Sequence, residues 1–337
     1  MKYHTGKGTI NYSKRGDVYE GEFENAEPHG VGKMIFKDGQ VCEGIWKKGK
    51  IEYEGELVDG KPHGVGKKMY EDGRVCEGIW NEGKIEYEGE LVDGKPHGNG
   101  KKIYPNGDVY DGEWTIGKRE GKGKYIWSAD GSSYEGQWRD NNMHGEGRSN
   151  LANGGSYEGG WKCGKKHGKG ITKRPGGSVL YDGQWKENHL EGEGTFYYRN
   201  RDVYTGGWVD SKKHGRGEMS YANNDIYDGE WKEDLKNGRG KMKYHNGDVY
   251  EGEFCNNKMH GKGIFEYAAG EISKSIGEWK NGKKCGLFQD MYSKQVYYSN
   301  DVVKAGSKGK RGASSKDNGA GDEAPANKRH NACISPP

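Results

Sequence analysis

Apolar and polar positions alternate with a period of two along most of the chain, and Gly, Asn and Asp cut the alternation at short intervals. The stretch Tyr227-Asp-Gly-Glu-Trp231 is representative. Successive strand residues point to opposite faces, so Tyr227, Gly229 and Trp231 share one side and Asp228, Glu230 and Lys232 the other. Gly238-Arg-Gly240-Lys-Met242-Lys-Tyr244 continues the period, with Gly, Gly, Met and Tyr opposite Arg, Lys and Lys. Asn246-Gly247 then predicts a tight turn, because both residues tolerate φ > 0. The 3.6-residue period of a helix fits none of these segments. The pattern therefore predicts a β-hairpin. Strand glycines are normally a weakness, but here they leave flat space in which a neighbouring ring can lie.

The same hairpin recurs almost from end to end. Its openings stand at Tyr19, Cys42, Tyr53, Cys76, Tyr87, Tyr110, Tyr134, Tyr157, Tyr181, Tyr204, Tyr227, Tyr250 and, degraded, Ser275. Most are 23 residues apart, as from Tyr204 to Tyr227, and the intervals 42–53 and 76–87 shrink to 11. A fixed period of this size marks a repeat array. Gly6-Lys-Gly8 and Tyr12 match a second strand, so the array is expected to open on a half repeat. Residues 42–75 and 76–109 are near duplicates, and each runs from Cys-Glu-Gly-Ile-Trp into Ile-Glu-Tyr-Glu-Gly-Glu-Leu without a G-x-G strand. A meander reverses at every turn. Each missing strand should therefore move the next His-Gly to the opposite long edge, with His29 and His97 on one edge and His63 on the other.

Composition changes the picture in one respect. Only 30% of residues are hydrophobic and the mean hydropathy is −1.17, values that alone suggest disorder. Yet the 10 Trp, 23 Tyr and 6 Phe are placed periodically, which suits a thin, quasi-one-dimensional stack. The array is assigned to residues 1–299, with about 12–13 units and a degenerate last one. Residues 300–337 contain no aromatic and are expected to form a disordered, basic tail. The net charge of +3 resides in residues 301–337, leaving the array with 47 charges of each sign. That balance argues against an array-wide nucleic-acid or anionic-lipid surface, so nucleic acid is not expected as a partner and anionic phospholipid only weakly. Nothing in residues 1–30 has the form of a secretory signal and no apolar run has membrane-spanning length. Cys42, Cys76, Cys163, Cys255, Cys285 and Cys333 are accordingly read as reduced thiols of a cytoplasmic protein.

Candidate chemistry is sparse. Seven histidines precede glycine (His29, His63, His97, His144, His167, His214 and His260), but Glu120, Glu191, Asn237 and Cys285 hold the same slot. So free a replacement points to a turn or loop residue and not to a metal ligand. The repeated carboxylates face interleaved Lys and Arg. No dinucleotide, P-loop, H-E-x-x-H or G-x-S-x-G motif occurs. Arg174 and Leu151 stand where sister units carry an aromatic, a dent and not an active site. No catalytic, cofactor or metal residue is assigned, no cofactor is expected, and the chain is read as non-enzymatic.

The unit Y-E-G-E-W, a short polar link, H-G-x-G, an aromatic and an N-G or D-G turn resembles the MORN (membrane occupation and recognition nexus) repeat over residues 4–299. The resemblance implies an all-β fold, an elongated single-layer antiparallel β-meander solenoid. It also implies a scaffold of the cytoskeleton, cilium or membrane junctions; some arrays instead serve as lipid-targeting or regulatory modules of phosphatidylinositol phosphate kinases or other enzymes. The uncovered aromatic face is the expected protein-binding groove for an extended or helical segment. Its row comprises Tyr110, Trp114, Tyr134, Trp138, Tyr157, Trp161, Tyr181, Trp185, Tyr204, Trp208, Tyr227 and Trp231, with Tyr198 and Tyr221 from second strands. The C-terminal edge, with Leu287, Phe288, Met291, Tyr297 and Tyr298, is the expected homodimer contact, a mode that the resemblance also implies.

Overall fold

The structure, a computed structural model, describes residues 5–292. The tail beyond residue 299, together with Tyr297 and Tyr298, lies outside the described residues. Within them the regular structure is 25 strands, from β1 (Gly6–Tyr12) to β25 (Lys283–Tyr292), all in antiparallel pairing and without a helix. The chain divides into two units, residues 1–189 and 190–337.

In the first unit, β1 pairs with β2 (Asp17–Glu24) through Gly8↔Gly21 and Tyr12↔Asp17. β2 pairs with β3 (Glu27–Ile35) through Gly21↔Gly32 and Tyr19↔Met34. The glycine pair has a physical purpose: the Tyr19 ring lies flat over it, so a Cβ on either glycine would collide with that ring. The second unit repeats the scheme. β20 (Ile226–Lys232) and β21 (Leu235–Lys243) join through Gly229↔Gly240 and Tyr227↔Met242. Tyr227 is 0% exposed, Trp231 is 4% exposed, and Asp228, Glu230 and Lys232 face solvent, as the alternation predicts.

Two local expectations need correction. The tight turn is not at Asn246-Gly247. That pair lies in a longer connection from Tyr244 to Asp248, closed by Tyr244 N–H to Asp248 O at 2.8 Å, in which only Gly247 has positive φ. The two-residue turn is Glu233-Asp234, with φ of 49° and 68°. Positive φ at both central residues is the hairpin geometry whose twist matches its strands. The His-Gly pair is not in a turn either. In β3 the register passes from Gly21↔Gly32 to Phe23↔Pro28, so His29-Gly30 forms a bulge within the strand. Gly30, at φ 63°, supplies the left-handed residue that such a bulge uses.

The short units do more than change edges. They run through β4 (Val41–Lys47), β5 (Lys50–Val58), β6 (Lys61–Met69), β7 (Val75–Asn81), β8 (Lys84–Val92) and β9 (Lys95–Ile103). Counting antiparallel strands puts the turns at 25–26 and 93–94 on one edge and that at 59–60 on the other, as expected for His29, His97 and His63. The faces exchange as well. Trp46 packs with Tyr19, Phe23 and Ile51, whereas its neighbour Ile45 packs on the opposite side with Tyr53, Leu57 and Trp80. Cross-strand partners share a face, and β4 pairs Trp46↔Ile51 but Ile45↔Tyr53, across a bulge at Glu52. β7 and β8 repeat this with Trp80↔Ile85 and Ile79↔Tyr87. A chain of L-residues cannot be mirrored. A unit whose strands run in the reverse direction must therefore be rotated about the long axis of the sheet, which swaps faces along with edges.

Candidate functional site

The expected binding row is interior. In the first unit Tyr110, Trp114, Tyr134, Trp138, Tyr157, Trp161, Tyr181 and Trp185 are all buried, as are Tyr204, Trp208, Tyr227 and Trp231 in the second. A single sheet buries them because each ring is closed from several directions. Tyr227 lies on the Gly229 and Gly240 backbones, donates its phenol proton to Glu230 O at 2.9 Å, and meets Trp231 edge-on at 5.2 Å. Trp231 donates Nε1–H to Gly217 O at 2.9 Å. Burial raises the Tyr227 phenol well above its ordinary pKa. These pairs are the core of the array, and what the face offers to a partner comes from elsewhere.

A lid covers the rings: the residue before each His-Gly slot. In the first unit it is Pro28, Pro62, Pro96, Arg119, Met143 and Lys166, and in the second Leu190, Lys213, Lys236, Met259 and Lys284. The cationic lids sit over ring faces. Arg119 is 4.5 Å from the Trp138 centroid and Lys166 4.7 Å from that of Trp185. Such contacts contribute ~0.5–2 kcal/mol each. Lys213 Nζ lies 4.7 Å from Trp231 and 5.7 Å from Tyr198 and Tyr204. Lys236 Nζ lies 4.8 Å from Tyr227 and 5.0 Å from Tyr221.

Of the expected contact residues, Tyr198 and Tyr221 are the two that remain partly exposed. They are brought together in the second unit, where they line an open cleft of about 380 Å³ with Lys213, Lys236, Met219 and Trp231. Burial lowers the pKa of Lys213, and that of Lys236 falls to about 8, mainly through burial and further through Lys213. The sequence signal for the lid was the alternation of Pro, Met or Leu with Lys or Arg at one slot. A charge at that slot looks like a solvated face until the rings beneath it are seen.

The His-Gly slot also acquires a reason. In three of the slots the side chain accepts the N–H of the turn on the adjacent hairpin: Ile116 N–H to His97 Nδ1 at 3.4 Å, Asp140 N–H to Glu120 Oε2 at 2.9 Å, and Asp210 N–H to Glu191 Oε2 at 3.2 Å. His and Glu serve alike there, whereas the buried Nδ1 atoms of His63 and His260 in the same slot meet no such N–H. Among the described residues no group of three or more His, Cys, Asp or Glu could hold a metal ion, and no helix is long and apolar enough to cross a membrane. Leu151 is exposed, and Arg174 donates Nη1 to Val179 O at 2.9 Å.

One aperiodic polar cluster went unread in the sequence. Ser275 Oγ lies 2.5 Å from Asp290 Oδ1, and Lys284 Nζ lies 2.7 Å from Ser275 Oγ. A hydroxyl, an amine and a carboxylate in contact suggest a nucleophile, but Ser275 is 0% exposed. It occupies the slot of the repeat Tyr, and Phe288 supplies the missing ring, lying over Gly277 and edge-on to Trp279 at 5.4 Å. Phe288, expected at a dimer contact, is thus turned into its own core, whereas Leu287 and Met291 are exposed.

Asp108 is the most buried carboxylate of the first unit, at 6% exposure. It accepts Ser128 N–H at 2.9 Å and Tyr125 Oη–H at 2.7 Å, and these bonds, with Asn106, hold its pKa down to about 2. A depressed carboxylate contributes stability above its unfolded pKa and loses it as pH falls through the folded value. Asp108→Asn is therefore expected to weaken the acid dependence of the first unit between about pH 4 and 2. Thermal melts that keep the full wild-type acid slope would count against this assignment.

The MORN repeat family model matches residues 19–41, 53–73, 87–109, 110–132, 134–156, 157–179, 181–203, 204–226, 227–249, 250–272 and 276–287. Residues 42–52 and 74–86, which fall between matches, hold all of β4 but Val41 and the whole of β7, the strands at which the faces exchange. No curated protein matches the chain. Among solved structures it is similar to the TCP10 domain of Danio rerio CPAP in complex with a peptide of Danio rerio STIL, with TM-score 0.37, 13% identity, and coverage of 67% of this chain and 98% of that one. It is also similar to the G-box domain of the microcephaly protein CPAP (TM-score 0.25, 12% identity, 68% and 99% covered) and to virginiamycin B lyase from Staphylococcus aureus (0.15, 11%, 82% and 92%). At these scores the likeness carries no functional argument. The matched repeats, by contrast, take up most of the sequence and coincide with the hairpins observed, and the chain belongs to the MORN repeat family.

Proposed function

We propose that the chain is a non-catalytic interaction scaffold that holds an extended or helical segment of another protein along the second-strand aromatics of its aromatic side. The observation that carries this reading is the cleft between Tyr198 and Tyr221: two partly exposed rings stand above a sealed Tyr–Trp core, so they are free to contact a partner without opening the fold. Tyr presents a large, stiff surface at small entropic cost, which suits it to such contacts. The absence of a catalytic role rests on the periodicity of the polar residues and on the sealed position of Ser275. A cytoskeletal, ciliary or membrane-junction setting is part of the proposal and rests on the resemblance alone.

The double variant Tyr198→Leu/Tyr221→Leu is expected to keep its circular dichroism spectrum and to lose at least tenfold in affinity for a protein captured by the full chain, about 1.4 kcal/mol or more. Charge reversal on the opposite face, at Arg216 and Arg239, should leave that affinity unchanged. The reverse outcome, with folded Leu variants at wild-type affinity and loss only on charge reversal, would place the contact on the other face.

A further inference from the structure

We propose that the cleft between Tyr198 and Tyr221 binds the carboxylate of an acidic side chain displayed on the partner segment. The inference rests on the scaffold reading above and assigns the chemistry of its contact.

Four donors converge there. Lys213 and Lys236 form the one consecutive pair of cationic lids among the described residues, since their neighbours in the same slot are Leu190 and Met259, and Arg119 and Lys166 are each flanked by apolar lids. Neither ammonium has a carboxylate within ion-pair distance. Lys213 sits on ring faces, and Lys236 has only the weak acceptor Met242 Sδ at 3.7 Å. The phenol oxygens of Tyr198 and Tyr221 make no protein hydrogen bond, in contrast to the repeat tyrosines Tyr204 and Tyr227, whose protons go to Gly207 O and Glu230 O.

The carboxylates facing the cleft are already committed. Asp202 accepts Ala222 N–H at 2.8 Å and Asn200 Nδ2–H at 2.9 Å. Asp225 accepts His245 N–H at 2.8 Å and Asn223 Nδ2–H at 2.9 Å, with His245 Nδ1 at 3.1 Å. Asp234 accepts Lys213 N–H at 3.0 Å. They temper the local field, and Tyr204 and Tyr227 lie beneath the ammonium groups as neutral rings. Asp234 keeps its second oxygen in the lining, but the two ammonium and two phenol groups together offer a set of donors that a carboxylate fills with charge-assisted hydrogen bonds. A cationic ligand would instead meet two lysines. Burial lowers the pKa of Lys236 to about 8, Asp225 offsets part of that and Lys213 adds to it, and a bound anion would raise it.

The test uses the full chain and a short fluorescent polyglutamate peptide, followed by anisotropy at pH 7, with polylysine of equal length as the control. Saturable binding of polyglutamate alone is expected, about tenfold weaker in Lys213→Met/Lys236→Met and severalfold weaker in Tyr198→Phe/Tyr221→Phe. Affinity should fall as pH rises past about 8, because Lys236 then loses its proton. The Phe variants keep both rings and so remain informative if the Met variants fail to fold. The proposal is overturned if polyglutamate does not bind, if polylysine binds as well, or if folded Met and Phe variants bind like wild type. A phosphorylated peptide that binds where polyglutamate does not would overturn the carboxylate assignment. A protein partner that depends on Tyr198 and Tyr221 but is indifferent to both lysines would overturn this inference and leave the scaffold reading standing.

Discussion

Gly240→Ala is expected to destabilise the second unit by about 3 kcal/mol, although the loss of one glycine's flexibility would by itself stabilise it. A Cβ at this position would lie 2.5 Å from Tyr227 Oη, 2.6 Å from Cε2 and 2.7 Å from Cζ. The backbone there is not left-handed, so alanine fits the φ/ψ region and the cost is steric. Tyr227 cannot move aside. It is 0% exposed, tied to Glu230 O, and held edge-on between Trp231 at 5.2 Å and Phe254 at 5.0 Å. Overpacking of this kind costs ~1–3 kcal/mol, and displacing the phenol from its acceptor adds ~1 kcal/mol. Gly215 is the matched control. It has φ 70° and open space around its Cβ position, so Gly215→Asn keeps a tolerated left-handed residue and should cost well under ~1 kcal/mol. Urea melts followed by Trp fluorescence would separate the two. Equal shifts for both variants would mean that the second glycine of G-x-G is not a ring seat.

What the sequence made legible is what a period of two and a ring-sized gap can encode. The sides taken by Tyr227, Gly229 and Trp231, the half repeat at β1 and the alternation of edges all follow from strand geometry alone. Turn placement was not legible, because both connections of the hairpin are rich in the same residues. Asn246-Gly247 carries the local signature of the tight turn, yet Glu233-Asp234 adopts it, since register is fixed by the Gly229↔Gly240 pair and not by turn propensity. The full burial of the Tyr–Trp pairs is not legible in the sequence, because nothing in a single sheet's alternation shows what covers its second face. The lids that close it are side chains such as Lys213, whose charge disguises an apolar stem lying on rings. The exchange of faces did leave a mark. Ile45 and Ile79 occupy a slot filled elsewhere by Glu, Gln or Gly, and Val31 and Val65 a slot that is polar or charged in every other unit but the degenerate last one, which has Leu287. β4 and β7 are apolar on both sides because both sides become core.

Deleting residues 42–75 is expected to turn the N-terminal strands over relative to β9 and the strands that follow it in the first unit. The deletion joins Val41 to Cys76, and the residues that follow, Glu77-Gly-Ile-Trp80, are identical to Glu43-Gly-Ile-Trp46. β3 can therefore pair with β7 through the same glycine register, Gly32 to Gly78 in place of Gly44, and the array should fold. One reversal would remain where the intact chain has two. In the intact chain the turns at Ala26 and Ile116 share an edge, and the loop at Asn106 lies on the other. In the shortened chain Ala26 should share an edge with Asn106 instead. Strands of 7 to 9 residues separate the edges by roughly 25 Å, a shift that spin-label distances resolve. Loss of three strands shortens both distances by up to ~14 Å along the sheet, while across it the 26–116 pair should gain the offset and the 26–106 pair lose it, so that 26–106 becomes clearly the shorter. An unchanged ordering of the two distances would show that a connection had absorbed the missing strand, so that strand count does not set orientation. If the ordering does change, the near-identical duplicates act as a cancelling pair. Together they return the aromatic side to one face for β1–β4 and for the strands from β8 to the end of the first unit, while Tyr53 and Trp80 between them look the other way. A segment bound along the aromatic side of the first unit would then have to end at that interruption, so that β1–β4 and the first unit's strands from β8 onward would each engage a partner separately.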